Sequence, residues 1–329
     1  MTRHSYYRPI PDPEAGRWPL AGGWVRFSRL ERLRRGEPPE IVDSPPDDVL
    51  ARLTAARPPC LDLDLDRPRL MGVVNVTPDS FSDGGRHDST AAAVAHGRAL
   101  VAAGADLLDI GGESTRPGAV EVPAEKEIAR IVPVIAALAG ARISVDTRKS
   151  VVAGAALQAG AGLVNDVSGL DFDPGMGPEL AGTDAMVCLM HAQGLPQTMQ
   201  DNPRYDDVVL DVYDALADRI DRAVAAGIRR DRIIIDPGIG FGKTQAHNLA
   251  ILRRIGVYHG LGCPVLLGVS RKRFIGTIGG TEPADQRDPG TLALTLAAVA
   301  QGVQIHRVHD VAGIKQGLRL WQAVNEAEQ

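Results

Sequence analysis

The chain has 329 residues, 44% of them hydrophobic and 23% charged, enough for two average domains or one large α/β domain and too apolar for a mainly disordered chain. A net charge of −5 and an aromatic content of 4% exclude a surface built to coat nucleic acid or to stack single strands. No apolar run reaches the roughly 18–20 residues of a membrane helix, so no membrane partner is expected, and Met1 to Tyr7 leads into no secretory apolar core. Cys60, Cys188 and Cys263 are far apart and form no CxxC pair, which fits a reducing, cytoplasmic setting and argues against a disulfide framework or a structural zinc site.

Residues 1–66 hold ten prolines, and long regular elements are not expected there. Two short patterns survive: a strand over Trp24 to Phe27, and a helix over Asp47 to Ala56 capped by Ser44 or Asp47. We read 1–66 as a Pro/Arg-rich N-terminal extension and 67–329 as the main domain. From Arg69 onward short apolar runs alternate with stretches of helical period. The runs are 70–76, 106–110, 142–145, 162–164, 185–190, 232–235, 265–269 and 303–308. The helical stretches are 90–102, 125–138, 149–159, 208–226, 247–255 and 289–300, with another ending near Val324 and a short one around 175–180.

Continuous apolar strands separated by helices read as parallel strands buried on both faces. Eight such units over about 260 residues predict an α/β chain folded as a (β/α)8 TIM barrel with an N-terminal extension. A doubly wound open sheet is the rival. The barrel is preferred because polar residues stand at the C-terminal end of nearly every strand. These are Asn75, Asp109, Asp146, Asn165-Asp166, His191, Asp236, Ser270-Arg271-Lys272 and Arg307-Val308-His309-Asp310. An open sheet would gather its site at one crevice. A single Asp or Asn in such a place reads equally well as a helix N-cap. The Arg, Lys and His after the last two strands do not, and in these barrels that position often holds phosphate.

The run Gly238-Ile239-Gly240-Phe241-Gly242-Lys243-Thr244 imitates a nucleotide loop, but the phosphate-cradling pattern needs glycine where Pro237 stands. A tight glycine turn that lets a flat ligand approach the backbone is the better reading. Two loops, Thr77 to Gly85 after the first strand and Gly111 to Ala119 after the second, mix glycines with charged groups and a ring or proline. Loops of this kind move and carry chemistry.

These segments closely resemble the dihydropteroate synthases. The match runs through Leu70 to Gly85, Gly111 to Gly118, Ser144 to Thr147, Asn165 to Gly169, Leu189 to His191, Asp236 to Thr244, Gly268 to Lys272 and Arg307 to Val311. Ala192 stands where the family often has Met, and nothing before Arg69 takes part. The resemblance implies condensation of a dihydropterin carrying a hydroxymethyl diphosphate with 4-aminobenzoate, with loss of diphosphate. It implies Mg²⁺ held by Asn75, the pterin edge paired by Asp146, Asn165 and Asp236, and Lys272 beside the ring. Arg307, His309 and Thr115 would bind diphosphate. Met190 and Phe241, inside matched segments, are further substrate-binding candidates, and Arg116 stands with Lys272 among the catalytic ones. A homodimer is implied as well.

The chemistry suits these residue types. Carboxylate and amide groups pair with a pterin's N–H and NH₂ donors, and cations stabilise charge developing on a leaving diphosphate. If diphosphate leaves first, Asp83, or next Asp79, is placed to stabilise the pterin cation. Phe81 and Pro117 would form a slot for the aminobenzoate ring, with Ser270 near its carboxylate. A methyltetrahydrofolate-binding methyltransferase would keep the pterin-edge residues but has no use for the diphosphate residues. A catalytically inactive pterin-binding paralogue would have no reason to retain Asn75, Arg116, Lys272 and His309.

Overall fold

The computed structural model describes residues 5–77, 86–114, 120–194 and 198–325. The N-terminal part holds β1 (Tyr6–Pro11), β2 (Trp18–Pro19), β3 (Arg26–Leu33), β4 (Glu40–Val42) and α1 (Asp47–Thr54). Then follow β5 (Arg69–Asn75), α2 (Arg86–Ala103), β6 (Leu107–Gly111), α3 (Ala124–Ala137), β7 (Ile143–Asp146), α4 (Ser150–Gln158) and β8 (Leu163–Asp166). The chain continues through α5 (Met176–Ala181), β9 (Met186–Met190), α6 (Val208–Ala225), β10 (Ile233–Asp236), α7 (Gln245–Arg253) and β11 (Leu266–Leu267). It closes with α8 (Arg273–Gly279), α9 (Asp288–Val299), β12 (Ile305–Val308) and α10 (Val311–Asn325).

All eight expected strands are present, in the spatial order β10-β9-β8-β7-β6-β5-β12-β11. The neighbours run parallel, and a bridge between Ile235 and Val265 joins the two ends, so the sheet is a closed barrel. Helices between the strands bury one stripe against it; α6, for example, is started by Asp207, whose carboxylate accepts from the amides of Val209 and Leu210. The helix α8 was not foreseen, because Gly276, Gly279 and Gly280 hide its pattern.

Side chains alternate along a strand, so residues two apart share a face. Met71, Leu107, Leu163, Met186, Cys188, Ile234, Leu266 and Ile305 form one buried layer inside the barrel. Cys60, Leu63 and Leu65 of the N-terminal part join the same layer from below. They are brought there by a two-residue turn in which Cys60 and Leu63 exchange both backbone hydrogen bonds at 2.9 Å. Leu61 and Asp62, its central residues, take φ values of 49° and 63°, as a type I′ turn demands. The left-handed region costs about 1–2 kcal/mol for each non-glycine residue. Arg142 offsets it, its Nε donating to Leu61 O at 2.9 Å and Asp62 Oδ1 at 2.6 Å.

The N-terminal part is more ordered than its prolines predict. β1, β3, β2 and β4 form an antiparallel sheet. The expected strand at Trp24 to Phe27 appears only as the start of β3. The expected helix is α1, but its N-cap position is Pro46, with no side-chain cap from Ser44 or Asp47. The sheet is tied to the barrel's outer elements: Trp24 Nε1 donates to Val299 O at 3.0 Å, and the buried Arg57 Nη2 to His259 O at 2.9 Å. Glu31 accepts from both Arg8 and Arg254, at 2.6 and 3.2 Å.

Candidate active site

One step of the alternation above the apolar layer, the interior turns polar. Two residues beyond Leu107, Leu163, Ile234 and Ile305 stand Asp109, Asn165, Asp236 and Arg307, and Ser144 and Asp146 come from β7. A further step brings Asn75, Met190, Ser270 and His309 to the mouth.

Asp109 is the centre of the polar layer and fully buried. Its carboxylate accepts from Ser144 Oγ at 2.6 Å, Asn165 Nδ2 at 3.1 Å and Arg307 Nε at 2.5 Å. Arg307 Nη2 also donates to Asp146 Oδ2 at 2.9 Å. The other oxygen of Asp146, Oδ1, is buried with no hydrogen-bond partner among the described residues. Burial pushes the Asp146 carboxyl well up from its ordinary range, against the pull of Arg307 and with help from Asp109, Glu127 and Asp166. Arg307 is held protonated by the carboxylates of Asp109, Asp146 and Asp236 despite its burial.

Asp236 lies across the barrel. Its Oδ1 accepts from the amide of Gly238 at 2.7 Å, and its Oδ2 has no protein donor among the described residues. Burial raises its pKa to about 6, opposed by the Gly238 amide and by Lys272, Lys243 and Arg307. Beside it, Lys272 Nζ sits 4.3 Å over the ring of Phe241. Met190 is buried one strand away, in register with Asp236. Ser270 Oγ and His309 Nδ1 are 2.8 Å apart, and the His309 amide also donates to Ser270 Oγ at 3.1 Å, so the ends of the last two strands are locked together. Arg271 turns away to pair with Asp288 at 2.6 Å.

Two of the three glycines in the run face a neighbouring strand end and not a ligand, while Gly240 faces the Lys272 side chain. A Cβ at Gly238, where φ is +67°, would lie 1.9 Å from His191 O, so the close approach is made by the neighbouring strand end. A Cβ at Gly242 would lie 2.5 Å from Gln193 O. The root of the second loop is pinned: Glu113 pairs with Arg148 at 2.7 Å and with Lys149, which also donates to Glu127 and Val122 O, both at 2.8 Å.

Asp146, Asn165, Asp236, Lys272, Phe241, Met190, Arg307, Ser270, His309 and Asn75 are thus gathered at one end of the barrel. Asp79, Phe81, Asp83, Thr115, Arg116 and Pro117 lie outside the described residues. The sequence reading gave no role to Asp109, Ser144, His191 or Lys243. Asp109 was visible as a polar strand end; Lys243 was set aside with the false nucleotide loop.

A barrel whose interior ends in buried acceptors beside a lysine–aromatic pair defines a pterin-binding enzyme, and the pterin binding enzyme family matches residues 71–309. Dihydropteroate synthase of Escherichia coli K12 is 44% identical over 270 residues, covering 81% of this chain and 95% of that protein. That of Neisseria meningitidis serogroup B is 47% identical, covering 80% and 95%. Among solved structures, Xanthomonas albilineans dihydropteroate synthase with 4-aminobenzoic acid superposes with a TM-score of 0.77 at 50% identity, covering 81% of this chain and 96% of that one. Its complex with 7,8-dihydropteroate gives 0.74 at 48%, covering 81% and 97%. The chain belongs to the dihydropteroate synthases, transferases within the pterin-binding enzymes. Among the described residues no helix is long and apolar enough to cross a membrane.

Proposed function

We propose that this chain joins a dihydropterin carrying a methyl diphosphate to 4-aminobenzoate, giving 7,8-dihydropteroate and diphosphate. The observation that carries this reading is the set of unused acceptors at the barrel's polar layer. Among the described residues Asp146 Oδ1 is buried without a donor and Asp236 Oδ2 has none, and Asn165 spends its NH₂ on Asp109 and leaves its carbonyl for a ligand. A pterin edge supplies N–H and NH₂ donors to such a set, and a ring without them leaves buried acceptors unpaired at a cost of about 1–3 kcal/mol each.

The ring would lie against Met190 and beside the Lys272–Phe241 pair. Arg307 spends Nε–H and one Nη2–H on Asp109 and Asp146, leaving three N–H donors for the diphosphate beside His309. The methylene–oxygen bond breaks with its electron pair going to diphosphate. The amine of 4-aminobenzoate then forms the new C–N bond and releases a proton to solvent. Asp83, or as the alternative Asp79, would stabilise the intervening cation. Arg116 and Thr115 would face the diphosphate, and Phe81 and Pro117 would hold the aminobenzoate ring, with Ser270 at its carboxylate.

Among the described residues no group of three or more His, Cys, Asp or Glu could hold a metal ion. Asn75 offers one half-buried amide oxygen at the mouth. One hard oxygen fits a Mg²⁺ that keeps several waters and takes phosphate oxygens, rather than a resident ion in a protein cage. When bound, it would neutralise charge on the diphosphate. A cytoplasmic setting is supported by Cys60, Cys188 and Cys263, all buried and free. A homodimer is proposed on the family resemblance. The test is direct: purified chain, Mg²⁺, the pterin diphosphate and 4-aminobenzoate, scored for dihydropteroate. No product above a protein-free control would reject the reading.

A further inference from the structure

Lys243 is 3% exposed, and lysine is rarely buried without a carboxylate partner. Among the described residues none of its hydrogen bonds goes to one. Its Nζ lies 2.9 Å from His191 Nδ1, 3.2 Å from His191 O, 2.9 Å from Gly238 O and 3.0 Å from Phe241 O. One amine therefore gathers the end of β9 and both halves of the loop that follows β10. Burying so polar a head is costly unless its donors are used, and here three backbone carbonyls and one imidazole nitrogen, from the ends of two neighbouring strands, use them.

Each contact leads to a group that faces the ligand site. Gly238 carries the amide that orients the Asp236 carboxylate at 2.7 Å, and Lys243 holds the carbonyl of that same residue. Phe241, whose carbonyl Lys243 also holds, carries the ring beneath Lys272. His191 directly follows Met190. The three positive-φ glycines of the run give this loop little stiffness of its own, so its shape must come from ties such as this one. Outside ties exist, from Gln200 to Gly240 O at 2.7 Å and from Tyr205 to Gly242 O at 2.8 Å, but neither reaches Gly238 or Phe241.

We infer that Lys243 is a positioning residue: a buried amine that braces the 236–243 loop so that Asp236 and Phe241 are set for the pterin, without itself touching substrate. The inference rests on the pterin-condensing reading above. A brace on one side of the barrel mouth should act on one substrate only.

The test is steady-state kinetics of the full chain carrying Lys243→Met, which keeps the stem and removes the amine. Lys243→Gln, which retains an amide donor, serves if the first variant does not fold. We expect the KM for the pterin diphosphate to rise about 10- to 100-fold, the worth of a few buried hydrogen bonds. The KM for 4-aminobenzoate should stay within about twofold, and kcat should fall less than about threefold. In an Asp236→Asn background, the same change should cost much less, because the group it positions is already impaired. A folded variant with an unchanged pterin KM would overturn the inference. So would a proportional loss in both KM values and kcat, or full additivity with Asp236→Asn. Failure of the unmodified chain to make dihydropteroate would instead reject the parent reading.

Discussion

Arg307 Nε lies 2.5 Å from Asp109 Oδ2, and Asp109 is fully buried at the centre of the barrel's polar layer. The guanidinium is therefore set by a residue that need not meet the substrate. Asp109→Asn would leave Arg307 with Asp146 alone and turn donors toward Ser144 and Asn165, which already donate. Breaking a buried ion pair costs about 3–5 kcal/mol, and because Arg307 keeps one partner the lower end is expected. Urea denaturation should show a loss of unfolding free energy of that size, together with a raised KM for the pterin diphosphate. Stability equal to the parent chain would mean that the pair is dispensable.

Pterin affinity should depend on pH through Asp236. Its folded pKa, about 6, lies above the ordinary Asp value because burial outweighs the Gly238 amide and the charges of Lys243, Lys272 and Arg307. The ligand-free fold thus binds a proton more tightly than the unfolded chain. Its stability is favoured at low pH and falls as pH rises from about 4 toward 6. Donors on the ligand reward the ionised form, so affinity should run the other way, falling toward tenfold per pH unit below about 6. Calorimetry from pH 5 to 8 measures it; Asp236→Asn should shrink the fall and leave the part carried by Asp146, whose carboxyl burial raises to about 7.

Asp236→Ala removes the acceptor altogether. Each charge-assisted hydrogen bond to the pterin is worth about 1.5–3 kcal/mol, so pterin affinity should drop far more than the KM for 4-aminobenzoate changes. Near-normal calorimetric affinity would place the pterin elsewhere.

The first loop gives a kinetic prediction. A charge that meets only a developing cation acts on turnover and not on ground-state affinity. Asp83→Ala should lower kcat by about 10²–10³-fold while pterin affinity holds, and Phe81→Ala should raise the KM for 4-aminobenzoate. Wild-type turnover in both Asp83→Ala and Asp79→Ala would defeat the cation-first scheme. Rapid quench that never finds diphosphate released without 4-aminobenzoate would defeat it too.

A chain beginning at Pro68 should separate stability from binding. It loses Cys60, Leu63 and Leu65 and uncovers the layer that contains Met71, Leu107 and Ile305. Each buried aliphatic side chain is worth about 1.5–3 kcal/mol, so the melting temperature should fall by many degrees. The polar layer sits above that floor and is built entirely from later residues, so the folded fraction should bind pterin with unchanged affinity. Loss of affinity in a folded truncation would give residues before Pro68 a part in the site.

Most of the barrel could be read in advance because its strands bury both faces and therefore spell continuous apolar runs. The place of the candidate site could be read because Asp146, Asn165, Asp236 and Arg307 break those runs where only a mouth tolerates polarity; the roles proposed for them came from the resemblance alone. The N-terminal sheet could not. Pro9 and Pro11 look like breakers, yet β1 is an edge strand, where a missing N–H costs nothing to a neighbour. Nor could Lys243, since its four acceptors include three backbone carbonyls whose convergence depends on two chain segments meeting in space. Asp109 was noticed but given no task, because a strand-end carboxylate alone does not say whether it holds a ligand or another side chain.

The seal beneath the barrel has a consequence for how the chain is made. Arg57 docks on His259, 202 residues later, and Trp24 waits for Val299. At about 5–20 residues per second of synthesis, Arg57 spends about 10–40 seconds outside the ribosome before its partner exists. Throughout that interval Leu63 and Leu65 have no floor to cover. The segment from Trp24 to Leu65 thus emerges well before the elements that bury it, and a nascent chain must keep it from sticking elsewhere until the ring has closed.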